Sequence, residues 1–325
     1  MKVIVTGSAG FIGFYLAKQL LKKKYQVYGI DNYNNYYSSK LKKERIKILS
    51  KNSNFKFRFL DLKRYNKSLK LFKEIQPYAI YHLASQPGIM YSFKNPKTYR
   101  ENNIIVTKNL IQACKNLSVK KFYFTSSSSV YGNQKKYPIK ENFSLKPINF
   151  YARSKKKCEE LLKKSFKETD IDLKIFRPFT VYGPSSRPDM LFITYLNKSK
   201  NREIFNIYNN GEYIRDFTYV EDVAEILCSF LKISKKKNNT FNICSSKPLK
   251  LINIIQLIDK YNKIKTKLKF KPLRKGEIIK TFGDNAHMKK IIKYKKFTNL
   301  NEGIKKTVKW YKNYKFKKNL FFNKV

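Results

Sequence analysis

The sequence predicts an α/β protein: a doubly wound parallel sheet followed by a smaller, mixed C-terminal domain. Three observations predict it. Strand-like and helix-like patterns alternate through the first half of the 325 residues. A glycine-rich turn joins the first strand to the first helix. Beyond Pro178 the alternation gives way to shorter elements among Asn, Gly, Pro and Ser. Repeated β-α-β units imply a parallel sheet with helices on both faces. The expected division is 1–178 and 179–325, with elements interleaved across the boundary.

Residues 2–6 read as a short buried strand, and 11–23 carry apolar residues at Phe11, Tyr15, Leu16 and Leu20, a helical spacing. Strands follow at 26–30, 55–60, 78–82, 121–125 and 173–176. Helices fall at 37–49, at 65–75 before Pro77, at 96–116 and at 150–167. In the second half, helices are predicted over 222–231, 251–261 and 300–311 and a strand over 241–244. The basic, aromatic residues after Tyr314 are expected to fray.

The 42% hydrophobic content supports a packed core and excludes wholesale disorder. Seventy-one Lys and Arg against 22 Asp and Glu give a formal charge of +49, a field that attracts polyanions. The lysines are dispersed, however, as in Lys22-Lys23-Lys24, Lys155-Lys156-Lys157, Lys235-Lys236-Lys237 and Lys317-Lys318. They form no basic arm, and the abundance of Lys, Asn, Ile, Tyr and Phe fits A/T-rich coding. A nucleic-acid partner is therefore not expected. Cys114, Cys158, Cys228 and Cys244 form no C-x-x-C pair and only two histidines are present, so no metal site is expected. Scattered apolar-flanked cysteines read as buried thiols in a reducing compartment. With no signal peptide and no apolar run near the ~18 residues of a membrane helix, a cytoplasmic location and no membrane association are expected.

The run Thr6-Gly7-Ser8-Ala9-Gly10-Phe11-Ile12-Gly13 lies between strand and helix. Gly7 and Gly10 allow the backbone to approach a diphosphate, Gly13 allows close helix packing, and the helix N-terminus offers free N–H groups. The second strand runs into Asp31, about 20 residues on, placed to accept from an adenosine ribose and to repel a 2′-phosphate. NAD in a Rossmann domain is the expectation. Tyr151-Ala152-Arg153-Ser154-Lys155 puts Tyr151 and Lys155 on one helix face. Lowering a tyrosine pKa of ~10 by ~3 units takes about 4 kcal/mol, within reach of close positive charge. The run Thr125-Ser126-Ser127-Ser128-Ser129-Val130-Tyr131-Gly132 ends the fifth strand, where ligands of a doubly wound sheet sit. Each motif alone is a common accident; a glycine loop, terminal acid, serine run and Tyr-x-x-x-Lys in this order are not.

On these motifs the chain resembles an extended short-chain dehydrogenase/reductase of the NAD-dependent epimerase/dehydratase group, from Met1 to about Tyr311. The segments Asp31-Asn32-Tyr33-Asn34-Asn35-Tyr36-Tyr37, His82-Leu83-Ala84-Ser85-Gln86-Pro87-Gly88, Tyr182-Gly183-Pro184, Arg187-Pro188-Asp189-Met190 and Arg215-Asp216-Phe217-Thr218-Tyr219 make it most similar to the UDP-glucuronate 4-epimerases. The resemblance implies 4-epimerisation of a UDP-sugar through a 4-keto intermediate. Tyr151 would be the base and Lys155 would hold the cofactor ribose. Ser127 would orient the 4-hydroxyl, with Ser128 second. It implies NAD contacts at Gly7, Gly10, Phe11, Ile12, Gly13, Asp31, Asn32, Asp61, Leu62, Leu83, Ala84, Ser85, Tyr151 and Lys155. Substrate contacts are implied at Ser127, Ser128, Thr180, Arg187, Arg215 and Arg274, and a homodimer through the helices at 96–116 and 150–167.

Related dehydratases carry an Asp-Glu pair, and decarboxylases a Glu, just before Val-Tyr-Gly. Here Ser128 and Ser129 stand there, and serine cannot serve as a carboxyl acid/base. Three departures bear on the sugar. Met90 replaces an arginine usual in uronate epimerases, Ser185-Ser186 replace Trp-Gly, and Arg274 resembles the UDP-glucose enzymes. UDP-glucose or N-acetylhexosamine 4-epimerase is the alternative activity. A nucleic-acid-binding protein on a dinucleotide fold and a silent NAD scaffold are the rivals from other classes, the latter opposed by the intact Tyr151, Lys155 and Ser127.

Overall fold

The computed structural model describes residues 1–233, 239–274, 276–294 and 296–314. Lys235-Lys236-Lys237, Lys317-Lys318 and the expected fraying after Tyr314 lie outside the described residues. The first half runs β1 (Lys2–Thr6), α1 (Phe11–Lys22), β2 (Gln26–Asp31), α2 (Ser39–Leu49), β3 (Phe55–Phe59), α3 (Tyr65–Ile75), β4 (Ala79–His82), α4 (Ile89–Lys94), α5 (Pro96–Tyr99), α6 (Val106–Lys115), β5 (Lys121–Thr125), α7 (Phe150–Ser165) and β6 (Asp172–Pro178). The second runs β7 (Thr180–Tyr182), α8 (Leu191–Lys200), β8 (Phe205–Tyr208), β9 (Ile214–Tyr219), α9 (Val220–Ser229), β10 (Asn239–Ile243), β11 (Pro248–Lys250), α10 (Leu251–Asn262), β12 (Leu268–Lys271), α11 (Ala286–Ile292) and α12 (Leu300–Asn313).

Seven strands form one sheet in the order β3-β2-β1-β4-β5-β6-β10, every pairing parallel. The order reverses between β1 and β4, the switch point of a doubly wound fold, where a crevice opens beyond the strand ends. Alternate strand residues feed opposite faces. Val3 and Val5 join Tyr81, Tyr123, Phe176 and Phe241 under α1 and α9. Ile4 joins Ile80, Phe122, Phe124 and Ile175 under α3, α6 and α7. The fold class predicted from sequence is the one found.

Two features differ from the expected elements. The helix predicted over 96–116 forms, but Arg100–Ile105 within it is a π-turn. The reason is Asn103, whose Oδ1 accepts from Gln86 N (2.7 Å) and whose Nδ2 donates to Ser154 Oγ (2.8 Å); a widened turn carries this buried amide between two segments of the site. Beyond Pro178, β7, β8, β9, β11, β12 and the helices α8 and α11 were not anticipated, being short and weakly periodic. There β9 pairs β7 in parallel and β11 antiparallel, and β8 pairs β12. They surround a separate core of Phe192, Ile193, Tyr195, Leu196, Ile254 and Ile258. The boundary at 178 is crossed, because β10 returns to pair with β6 and α9 packs in the core beneath α1.

α7 is anchored at both ends. Asn149 caps it, its side chain accepting from Ala152 N (2.9 Å), and Lys163 and Lys164 occupy the last turn, where they complement the helix dipole. In between, Glu159 meets Arg177 of β6 in a buried bidentate pair (2.9 and 2.6 Å). Arg177 Nη1 also donates to Tyr131 Oη (2.9 Å), which donates to Asn242 Oδ1 of β10 (2.7 Å). This network ties α7, β6 and β10 together.

Candidate active site

A cleft of about 680 Å³ opens at the switch point. Its floor is the glycine loop. Gly7 has φ +71°, and a Cβ there would lie 2.8 Å from Ala84 N. A Cβ on Gly13 would lie 2.1 Å from Gly7 O, so only glycine permits this approach of helix to loop. Gly10 caps α1 without a side-chain hydrogen bond and no acid occupies its first turn. The amides of that turn thus remain available to an anion, which fits a dinucleotide diphosphate.

Asp31 ends β2. Its Oδ2 accepts from Ala9 N (3.1 Å) and its Oδ1 from Tyr33 N (2.8 Å). Burial pushes its carboxyl up, opposed by Lys42. Asn32, Asp61, Leu62, Leu83, Ala84 and Ser85 also line the cleft. Leu83 and Ala84 are held beside β1 by Thr6 Oγ1, which accepts from Leu83 N and Ala84 N (3.2 and 3.1 Å).

Tyr151 and Lys155 project from α7 into the cleft with Ser127. Burial pushes the Tyr151 phenol up; a hydrogen bond with Ser127 and the charge of Arg187 oppose it. Lys155 Nζ donates to Thr125 O (2.8 Å) and lies 4.8 Å from the Phe124 ring centre. Burial brings its pKa down to about 8. Ser127 Oγ accepts from both Ser129 N (3.2 Å) and Ser129 Oγ (2.9 Å). With both acceptor directions engaged, its own proton is left to donate toward Tyr151 and the cleft.

Behind this group lies His82, buried, whose Nδ1 meets Thr6 Oγ1 (2.9 Å) and Nε2 meets Thr107 Oγ1 (3.2 Å). Burial and then Lys155 push its pKa down to about 3. Below pH 6.5 the unfolded chain takes a proton that the folded one refuses until about pH 3. Stability therefore falls as pH drops through that window, by up to about 1.4 kcal/mol per pH unit for this one group. Urea midpoints compared at pH 7 and pH 5 should show a smaller loss in His82→Gln than in the unaltered protein.

The far end of the cleft carries Thr180, Arg187 and Arg274. Arg187 pairs with Asp189 through Nε and Nη2 (3.0 and 3.1 Å), and Tyr36 Oη donates to Asp189 (3.0 Å). Arg274 pairs with Glu277 (Nε, 3.0 Å) and stacks 4.1 Å from the Tyr208 ring centre. Two expected substrate contacts do not border the cleft. Ser128 opens the short turn Ser128–Tyr131, one residue after Ser127, which does line the cleft. Arg215 spends Nη1 on Ile214 O and Ile279 O (both 3.0 Å) and lies over Tyr213. Sequence reasoning assigned no site role to Ser129, Tyr36 or Asp189, although all three stand in segments it drew on, and it passed over Lys42 and Glu277, polar residues without a distinctive local spacing. Among the described residues, no cluster of three or more His, Cys, Asp or Glu could hold a metal. No described helix is long and apolar enough to cross a membrane.

Residues 3–244 match the family model described as the NAD dependent epimerase/dehydratase family. The UDP-glucuronate 4-epimerase of Thermodesulfobacterium geofontis is 33% identical over 95% of each chain. The structure of UDP-glucuronic acid 4-epimerase from Bacillus cereus, in complex with UDP-glucuronic acid and NAD, superposes with a TM-score of 0.91 at 32% identity, covering 96% of this chain and 99% of that one. The UDP-glucose 4-epimerase of Thermotoga maritima, solved with UDP-glucose, gives a TM-score of 0.87 at 27% identity over 96% and 99% of the two chains.

Proposed function

The chain belongs to the NAD-dependent epimerase/dehydratase family, and from that premise we propose that it is a UDP-sugar 4-epimerase interconverting UDP-glucuronate and UDP-galacturonate. The observation that carries this reading is the single cleft that joins the glycine loop and Asp31 to Tyr151, Ser127 and Lys155, and these to Arg187. The uronate epimerases of Thermodesulfobacterium geofontis and Bacillus cereus support it.

NAD would be held by the glycine loop and the N-terminus of α1 at its diphosphate, by Asp31 and Asn32 at the adenosine ribose, and by Asp61 and Leu62 at the adenine. Leu83, Ala84, Ser85 and Lys155 would hold the nicotinamide half. When bound, it supplies reversible two-electron oxidation at the sugar C4. Tyr151 Oη takes the proton of the 4-hydroxyl and returns one after the keto sugar has turned over. Its position in the first turn of α7 puts the positive end of the helix dipole beside the phenolate. Ser127 donates to the C4 oxygen, held in that role by Ser129. Lys155 supplies positive charge beneath Tyr151. Arg187 and Thr180 face the C5 carboxylate, and Arg274 the UDP diphosphate, where a planar fork suits phosphate. No acid stands at Ser128 or Ser129 to drive elimination. Residues 1–178 supply most of the cofactor site and 179–325 most of the sugar-nucleotide site. Exposed Phe150 and Ile105, on α7 and the π-turn, fit a homodimer through these helices, and the four buried thiols fit a reducing cytoplasm.

A second reading, epimerisation of UDP-glucose or an N-acetylhexosamine, is favoured by Met90, an apolar side chain on the cleft wall. Proton NMR of purified protein with UDP-glucuronate and no added NAD separates the two. Anomeric signals of UDP-galacturonate are expected. Silence with UDP-glucuronate, NAD supplied, together with turnover of UDP-glucose would establish the second reading.

A further inference from the structure

Arg45, on α2, is 1% exposed, and among the described residues its hydrogen bonds go to neutral oxygens. Nη1 donates to Ala9 O (2.7 Å) and Tyr37 Oη (2.8 Å), Nη2 to Ser185 O (2.7 Å), and Nε to Ser185 Oγ (3.2 Å). A buried guanidinium is costly and is tolerated only when its donors are satisfied. Besides the nearby Tyr37, they are divided between two segments far apart in sequence, the glycine loop at Ala9 and the loop 184–189. That second loop carries Arg187 into the cleft two residues after Ser185. It is held at three further points, where Tyr15 Oη donates to Pro184 O, Thr194 Oγ1 to Pro188 O and Tyr36 Oη to Asp189 (each 3.0 Å). Ser185 itself is strained, with φ +57°, a conformation a non-glycine residue keeps only when its surroundings impose it.

We infer that Arg45 is a positioning residue: it clamps the 184–189 loop to the glycine loop and so sets where Arg187 meets the substrate carboxylate. The inference rests on the uronate reading of Arg187 given above. Its forked donors are the working part, since a single ammonium cannot span Ala9 O and both oxygens of Ser185. The clamp acts on sugar selectivity rather than on nucleotide affinity, because UDP-glucuronate and UDP-glucose share the UDP and differ at the group Arg187 faces.

The test measures Kd for UDP-glucuronate and for UDP-glucose by titration calorimetry on NAD-loaded protein. Arg45→Lys keeps the charge and loses the fork. Ser185→Gly removes one bond and relieves the positive φ, so it folds even if the first variant does not. The preference for UDP-glucuronate is expected to fall about 10-fold in Arg45→Lys and about 3-fold in Ser185→Gly, the range for one or two hydrogen bonds acting on a charge. Arg187→Met is the control. If it abolishes the preference while both clamp variants keep it, or weaken both ligands equally, the clamp is overturned and the uronate reading stands. If Arg187→Met itself leaves the preference intact, the uronate role of this loop falls and the clamp with it.

Discussion

Tyr151→Phe reduces kcat for 4-epimerisation by about 10³-fold or more, at the upper end of what a positioned acid/base contributes, and leaves the thermal midpoint nearly unchanged. The phenol faces the cleft and makes its hydrogen bond with Ser127, so its removal disturbs one polar contact at a solvent-accessible wall. The ring stays packed against Tyr99, at 6.2 Å between centroids. KM for the UDP-sugar should move little, since the nucleotide is gripped elsewhere, and a kcat effect without a KM effect marks an interaction made in the transition state. Conversion followed by NMR over hours, beside a melting curve, checks both halves. A variant retaining a tenth of the activity would remove Tyr151 from the role of base.

Glu159→Ala destabilises the fold by about 3–5 kcal/mol, the cost of stranding a buried charge whose partner has gone. Both members of the Glu159–Arg177 pair are nearly inaccessible, with side-chain exposures of 1% and 2%. Arg177 would be left with Tyr131 Oη and Glu141 O as its remaining partners. Replacing both residues by apolar ones of similar volume, as in Glu159→Leu with Arg177→Met, recovers much of the loss, because the desolvation of both charges disappears together. Urea unfolding of the single and double variants measures the difference. A loss under 1 kcal/mol in Glu159→Ala would mean the pair is not desolvated as the structure has it. The same anchor holds the helix that presents Tyr151 and Lys155, so activity in the single variant should fall at temperatures well below its melting point.

What could be read from the sequence followed from local rules. The strand, glycine loop and helix around Gly7, Gly10 and Gly13 are dictated by backbone sterics within a dozen residues, and the Tyr151–Lys155 face by helical periodicity. That the sheet is parallel, with helices on both faces, followed once the β-α-β units were recognised. Features that depend on pairing across long separations were not legible. Arg45 looks like any exposed basic residue of a charged helix until Ser185, 140 positions away, is brought against it. The π-turn cannot be seen in a pattern that reads as ordinary helix, because its cause, the Asn103 side chain, answers to Gln86 and Ser154. Arg215 illustrates the converse. Its segment marked it as a substrate contact, but the bonds of its Nη1 to the carbonyls of Ile214 and Ile279 could not be read from that segment. The small sheets beyond Pro178 escaped because strands of three to six residues carry too few alternations to register a period.

The return of β10 to the large sheet also bears on how the chain is made. A ribosome releases β6 more than sixty residues before β10, and during that interval the edge of β6 is unpaired, a template for strand addition by a neighbouring chain. The wait coincides with synthesis of the elements that later form the second half, so closing the last parallel pairing is a long-range, late event. β6 carries charge at this edge: Asp172 and Lys174 form an ion pair within the strand, and Arg177 awaits Glu159, already synthesised on α7. Polar groups of this kind interrupt an otherwise apolar strand and disfavour its stacking with copies of itself. A released chain truncated near residue 200 would expose that edge, whereas one that includes β10 through Ile243 can cover it.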